Sequence, residues 1–463
     1  MKNTIVIFVI CLAIISISFG QEKETPPSGS EPKNFLLPQR EELQLENGVK
    51  LVMIPYGGIP KASVRITVST GNIHEEIDKI WMSNLVSNLM QEGSISMSAK
   101  DIADKMANMG GDLNIFVTPH NTNIQSSVLY EFVPDAIALM VDVLINPAFP
   151  ESEMVRLKND MKRNLSVELT KPGSLATQEF FKQLYPNHPY GRYFPTEEMI
   201  DSYTLDDVKE FYGKNFGGKC TTIYIAGKFD IEKAKKAAVG ALTNWKEGLE
   251  SEYSIGEPVT QGEITLIDRP GAPQSTLLVG LPVADPSNPD YIAVDVMNSL
   301  LGGSFGSRIT SNIREDKGYT YSPRSRVSAK YKSSIWYEQA DVTTEFTGPS
   351  LQEISKEIER LRNEAPSEKE LDGIKNYEAG LFVLRNSIPN GIIEQLVFLD
   401  VHDLEDDYLV NRVKEIYSLT PKDIQNMAKK YLRSKDMTLV IVGDKVKIQN
   451  QIDEYEKLLD TLK

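Results

Sequence analysis

The feature that most constrains this chain is a repeat of its own text at a spacing of 216 residues. In the first copy Thr204 precedes a helical pattern with Asp207 at the third helical position, and Val208, Phe211, Tyr212 and Phe216 share one face. A continuous apolar run, Thr222–Ala226, follows and stops at Gly227. In the second copy Thr420 precedes the helix, Pro421 takes its first position and Asp423 its third. Ile424, Met427, Tyr431 and Leu432 then lead to the run Thr438–Val442, which stops at Gly443. Threonine before a helix, with a carboxylate three residues on, satisfies two orphan backbone donors reciprocally and fixes where the helix starts. A second match, Glu153 through Lys158-Asn159 against Glu370 through Lys375-Asn376, lies at a spacing of 217. Caps, core positions and strand ends repeating together imply an internal duplication. The predicted fold class is therefore α+β: two homologous halves, each a mostly antiparallel sheet packed with helices. At 463 residues the chain also exceeds what one hydrophobic core usually serves.

The halves are placed at residues 39–244 and 264–463, joined by the acidic, glycine-containing stretch 245–263. In the first half Asn47-Gly48 between alternating apolar runs predicts a hairpin, and Lys61 to Ser69 a further strand. A helix is expected over Trp81–Met90, and another is capped by Ser98 with Asp101. Strands over Asp112–Pro119 and Thr122–Tyr130 precede helices at Pro134–Leu144 and Glu151–Leu169.

Residues 1–20 differ in kind. Lys2 precedes the apolar run Ile5–Phe19, and Ser18-Phe19-Gly20 offers a cleavable end, the pattern of a secretory signal. The chain is then expected to be exported, periplasmic or extracellular, and membrane-tethered if the signal is retained. Residues 21–38, rich in Pro, Ser and Glu, suggest a flexible leader. Removing the signal leaves Cys220 as the single cysteine, so no internal disulfide is expected. A net charge of −15 argues against nucleic-acid binding, which needs clustered cations.

The stretch Leu300–Tyr321 is the most informative for function. Gly302-Gly303 ends an apolar run, a polar helical segment breaks at Lys317-Gly318, and a strand is expected from about Tyr319. Folding the helix end back on that strand brings Arg314 and Tyr321 onto two arms of one turn. A guanidinium with five fixed donors and a phenol with one suit the backbone carbonyls of an extended peptide.

Together with His188-Pro189-Tyr190-Gly191-Arg192, the Asn146-Pro147-Ala148-Phe149 turn and the duplication, this segment resembles the insulinase/pitrilysin metallopeptidases, including their mitochondrial processing peptidase branch. The resemblance spans nearly all of residues 39–450. It implies a zinc site in the first half and an Arg/Tyr peptide clamp, Arg314 and Tyr321, in the second. The family's zinc segment is HxxEH on a helix with a distal Glu, in which two histidines one turn apart hold the metal and the Glu acts as base. The matching helix here has Asn84 and Asn88 at the histidine positions, Ser87 at the base and Asn164 at the distal Glu. Neutral amides are poor zinc ligands, and serine cannot take a proton from a metal-bound water. Glu168, one turn beyond Asn164, has no histidines to join. No two of the four histidines, His74, His120, His188 and His402, lie within five residues of each other, so no HxxEH or HExxH exists in any register. His74-Glu75-Glu76, at a strand-to-helix loop, suggests a solvated acidic turn.

No metal or other cofactor is thus expected in this chain. The resemblance implies instead a non-catalytic subunit of a two-chain zinc peptidase. The zinc would reside in an HxxEH-bearing partner, and Arg314 and Tyr321 would help bind peptide or unfolded protein for it. The alternatives are a structural or peptide-binding homologue with no part in proteolysis, and a peptidase acting alone through a metal site built from distant residues.

Overall fold

Gly48, with φ of +90°, turns the first strand back on the second, as the Asn-Gly pair predicts. The computed structural model describes residues 35–260 and 262–461, so the expected signal at 1–20 and most of the leader lie outside the described residues. From Phe35 onward the chain forms one compact unit.

Two sheets organise it. The first contains β1 (Glu41–Gln44), β2 (Lys50–Pro55), β3 (Lys61–Val68), β4 (Asn114–Val117), β5 (Thr122–Leu129) and β6 (Thr221–Gly227). Their spatial order is β1-β2-β6-β3-β5-β4, with only β2 and β6 parallel. The second contains β7 (Ile264–Asp268), β8 (Gln274–Val283), β9 (Arg324–Lys330), β10 (Ser333–Thr343) and β11 (Thr438–Gly443). It runs β7-β11-β8-β10-β9, again with one parallel pair, β7 and β11. Without β1 the two orders are the same, which is the duplication in three dimensions. All three expected capping boxes form: the Ser98 hydroxyl accepts from Asp101 N, the Thr204 hydroxyl from Asp207 N and the Thr420 hydroxyl from Asp423 N.

The halves exchange helices. The helix Pro172–Leu184 follows the first half's helix Glu151–Thr170, yet lays Ala176, Phe180, Phe181 and Leu184 against Leu278, Ile335, Val440 and Val442 of the second sheet. Its duplicate, Pro389–His402, lays Ile392, Ile393, Leu396 and Leu399 against Val52, Ile54, Tyr224 and Ala226 of the first. This is why the edge-paired strands read as continuous apolar runs. Leu51 and Met53 face their own half's helices while Val52 and Ile54 face the exchanged one, so both sheet faces are buried. Each fully buried Phe, Leu or Ile in these contacts contributes about 1.5–3 kcal/mol, enough to fix one half against the other. Phe35 joins the same layer, its ring edge-on to Phe382 at 4.9 Å.

Three local expectations are corrected. The first-half helix starts at Met82, not Trp81, which sits ahead of it in a left-handed conformation with φ of +68°. The strand expected from Tyr319 starts only at Arg324. Pro323 has no N–H to give a ladder, and Thr320 makes a lone bridge to Val342. Glu75 is not solvated. It is buried ahead of the Met82 helix, where its carboxylate accepts from the Trp81 and Ser83 N–H groups at 2.9 and 3.0 Å. Burial pushes that carboxyl up, against the lowering effect of bonds from Ser83 and Asn72. It is the helix's N-terminal anchor.

Candidate functional site

The helix Met82–Gln91 presents Leu85, Val86, Leu89 and Met90 to the core. Asn84 and Asn88, one turn apart, share its half-exposed side, and Ser87 is buried with a hydroxyl that has no partner. Asn84 Oδ1 accepts from Asn72 Nδ2 at 3.1 Å, so its amide is held by the loop in front of the helix. The adjoining helix Glu151–Thr170 carries Asn164 exposed to solvent. Three amides and a hydroxyl offer neutral oxygens and nothing that ionises near neutrality, a set suited neither to zinc nor to activating water. Among the described residues no three His, Cys, Asp or Glu side chains stand where one ion could be shared. Glu168 is engaged elsewhere, with Lys171 and Ser174, both at 2.6 Å.

The second candidate site does assemble. The helix Tyr291–Asn298 widens into a π-helical turn, Ser299–Gly303, and a second π-helical turn spans Thr310–Asp316. Widened turns of this kind are rare and concentrate at functional sites. Gly302 and Gly303 are required by close approach. A Cβ on Gly302 would stand 2.6 Å from Glu338 Oε2 and from Ser325 Oγ, and one on Gly303 2.5 Å from Asn298 Nδ2. Gly318, at φ of +66°, supplies the left-handed stop that the Lys317-Gly318 pair predicts.

Buried anchors pin this segment from behind. Ile309 and Ile313 are fully buried. Arg308 makes a two-pronged ion pair with Glu370 at 2.7 and 2.9 Å, which holds the Glu370 carboxyl below its ordinary range. Asn312 Nδ2 donates to Glu353 and Glu357, both at 2.8 Å, and Tyr319 stacks on Phe346 with ring centres 4.4 Å apart.

What this framework leaves facing water is Arg314 with two aromatic rings. Its guanidinium carbon lies 4.9 Å from the centre of the Tyr321 ring and 4.5 Å from that of Phe305. Tyr321 is 80% exposed and Phe305 69%, which is unusual for rings with no core to fill. Arg314 Nε pairs with Glu315 Oε1 at 3.0 Å. The rings and that carboxylate hold the guanidinium in one plane and leave the terminal amino edge as its free donor face. Arg314 and Tyr321 are thus brought together, as their spacing predicts. Phe305 was not expected. The available signal was a bulky aromatic between Gly303-Ser304 and Gly306, a place where a ring has no turn or core role.

The histidines also come together, from four distant points in the chain. His120 Nε2 bonds the Tyr190 hydroxyl at 2.7 Å, and its ring lies 6.4 Å from that of His402 and 5.3 Å from Tyr253. His74 contacts the same Tyr253, and His188 the same Tyr190. This cluster lies between the halves, and it explains the HPYG stretch: Tyr190 is its centre.

Comparisons with known proteins agree with this architecture. Residues 52–194 match the family model of the insulinase peptidases (peptidase family M16), and residues 202–377 that of the peptidase M16 inactive domain. A Bacillus subtilis protein described as an uncharacterized zinc protease, YmxG, is 26% identical over 73% of this chain and 82% of its own length. A Helicobacter pylori protein described as the non-peptidase homolog YmxG is 22% identical over 84% of this chain and 90% of its own. Among solved structures, a peptidase M16 inactive domain from Pseudomonas fluorescens superposes with a TM-score of 0.80 at 23% identity, covering 87% of this chain and 98% of its own. A protease from Helicobacter pylori superposes at 0.82 with 18% identity, covering 88% and 100%. With family models matching in both halves, the chain belongs to the insulinase (M16) peptidase family.

Proposed function

We propose that this chain is the zinc-less, peptide-positioning subunit of a two-chain metallopeptidase whose partner carries HxxEH. The observation that carries the reading is the guanidinium of Arg314, fixed between two exposed rings; it is supported by Asn84, Ser87 and Asn88 standing where the resemblance puts the zinc segment. An extended peptide lying as an added strand on the partner's sheet would present its carbonyls to the free edge of Arg314 and to the Tyr321 hydroxyl. The rings set the guanidinium plane in advance, so little rotamer freedom is lost on binding. Export would place the complex outside the cytoplasm, where its substrates would be unfolded or released polypeptides.

The test is reconstitution. This chain, an HxxEH-bearing family member from the same cell, and their mixture are assayed on a quenched fluorescent peptide. Activity is expected in the mixture alone, and Arg314→Ala is expected to lower it roughly 10- to 100-fold, the worth of one desolvated charge-assisted bond. The thermal midpoint of the variant should stay unchanged. A partner that cleaves equally well alone, or a mixture indifferent to Arg314→Ala, would refute the reading.

A further inference from the structure

The second sheet ends in an open edge beside the clamp. β9 pairs with β10 alone, and among the described residues no other backbone hydrogen bond reaches it. Alternate residues of Arg324–Lys330 therefore turn their N–H and C=O groups away from the sheet, a ready template for one more strand. Only Ser322 and Pro323 separate Tyr321 from this edge, so the clamp opens directly onto it.

The two faces of β9 differ. Ser325 and Val327 turn to the second half's own helices: the Ser325 hydroxyl donates to Asn298 Oδ1 at 2.6 Å, and Val327 packs on that half's core. Arg324, Arg326, Ser328 and Lys330 lie on the other face, opposite Gln339, Tyr337, Ile335 and Ser333 of β10. Arg324 and Arg326 are exposed. Lys330 is half-buried, its ammonium over the Tyr190 and Phe181 rings at 5.4 and 5.9 Å. Among the described residues none of the three pairs with a carboxylate. Asp341, on the same face of β10, is held by the Thr276 hydroxyl. In a chain of net charge −15, three cations without counter-ions on one strand face are an exception. An edge in this fold does not require them, since the first half's counterpart β4, Asn114-Ile115-Phe116-Val117, carries no charge.

We propose that β9 receives an extended acidic segment of polypeptide as an added strand, with carboxylates at alternate positions facing Arg324 and Arg326. That this segment belongs to the substrate gripped by Arg314 and Tyr321 rests on the peptide-positioning role proposed above. The match is one of spacing. Side chains on one face of a strand recur every about 6–7 Å, so guanidiniums two residues apart meet carboxylates two residues apart. Each guanidinium can take both oxygens of a carboxylate in one plane. Backbone bonds along the edge would hold any extended chain, and the two arginines select the acidic one. The net charge of the whole molecule would by itself favour basic peptides, so the two expectations are opposite and separable.

The experiment uses the full chain without the partner subunit. Three short labelled peptides are titrated by fluorescence anisotropy: alternating Thr-Glu, alternating Thr-Lys, and the Thr-Glu composition with its glutamates in one block. Alternating Thr-Glu is expected to bind tightest and to weaken with added salt. The double variant Arg324→Gln, Arg326→Gln should weaken it roughly 10-fold, the worth of two exposed ion pairs. Hydrogen exchange should show the outward amides of β9 gaining protection when that peptide is bound, which loose electrostatic attraction would not produce. No binding, equal binding of the Thr-Lys peptide, indifference to the double variant, or protection elsewhere than β9 would overturn the proposal, and would leave the arginines as guards against strand-to-strand aggregation. These outcomes are independent of turnover. A reconstituted mixture indifferent to Arg314→Ala would sink the clamp and leave acidic-strand binding standing, and the reverse result would spare the clamp.

Discussion

Glu338 offers the sharpest test of how the clamp segment is supported. It lies on β10 at 1% exposure, beneath Gly302, and neither carboxylate oxygen has a hydrogen-bonding partner. Burial pushes its carboxyl well above the ordinary 4.5. The folded protein thus holds a proton that the unfolded chain releases. Stability is fully present below pH 4.5 and declines as pH rises toward the folded value, by about 1.4 kcal/mol for each pH unit in that window. Glu338→Gln keeps the shape and removes the titration. Urea unfolding of both proteins at pH 5, 6, 7 and 8 should show the variant gaining on the wild type by about 1.4 kcal/mol per unit, up to a plateau that marks the folded value. In thermal midpoints that is about 2–4 °C per unit, or less for a chain this long. A difference independent of pH would mean that Glu338 is ionised and paired in the native protein, and the account of a neutral carboxyl under Gly302 would fail.

Two further substitutions test the packing. Gly302→Ala should cost about 1–3 kcal/mol by urea unfolding, since its Cβ would meet Glu338 and Ser325 at 2.6 Å; full stability would mean the π-helical turn is freer than described. Phe180→Ala, at a fully buried position on the exchanged helix, should cost about 3–5 kcal/mol and speed proteolysis of the 245–263 stretch by loosening one half from the other. A loss near zero would argue against the exchange.

How much of this was legible beforehand differs from residue to residue. Arg314 and Tyr321 were, because a helix stop at Gly318 brings neighbours in sequence together by local geometry alone. Phe305 was not, since nothing local says that a ring leaves the core to stack on a guanidinium. Glu75 misled because charge suggests solvent, whereas its burial is bought by helix-end N–H groups several residues on.

The sequence by itself determined the duplication, the capping boxes at Thr204 and Thr420, and the runs that become β6 and β11. Each depends on spacings of a few residues, or on one stretch compared with another. Only the tertiary structure decided that Pro172–Leu184 and Pro389–His402 cross to the opposite sheet, and that residues 74, 120, 188 and 402 meet in one seam. Periodicity tells which side of a helix is buried, but an apolar face carries no address. Two nearly equivalent sheets were available to each helix, and the choice between them was made by packing of the whole molecule.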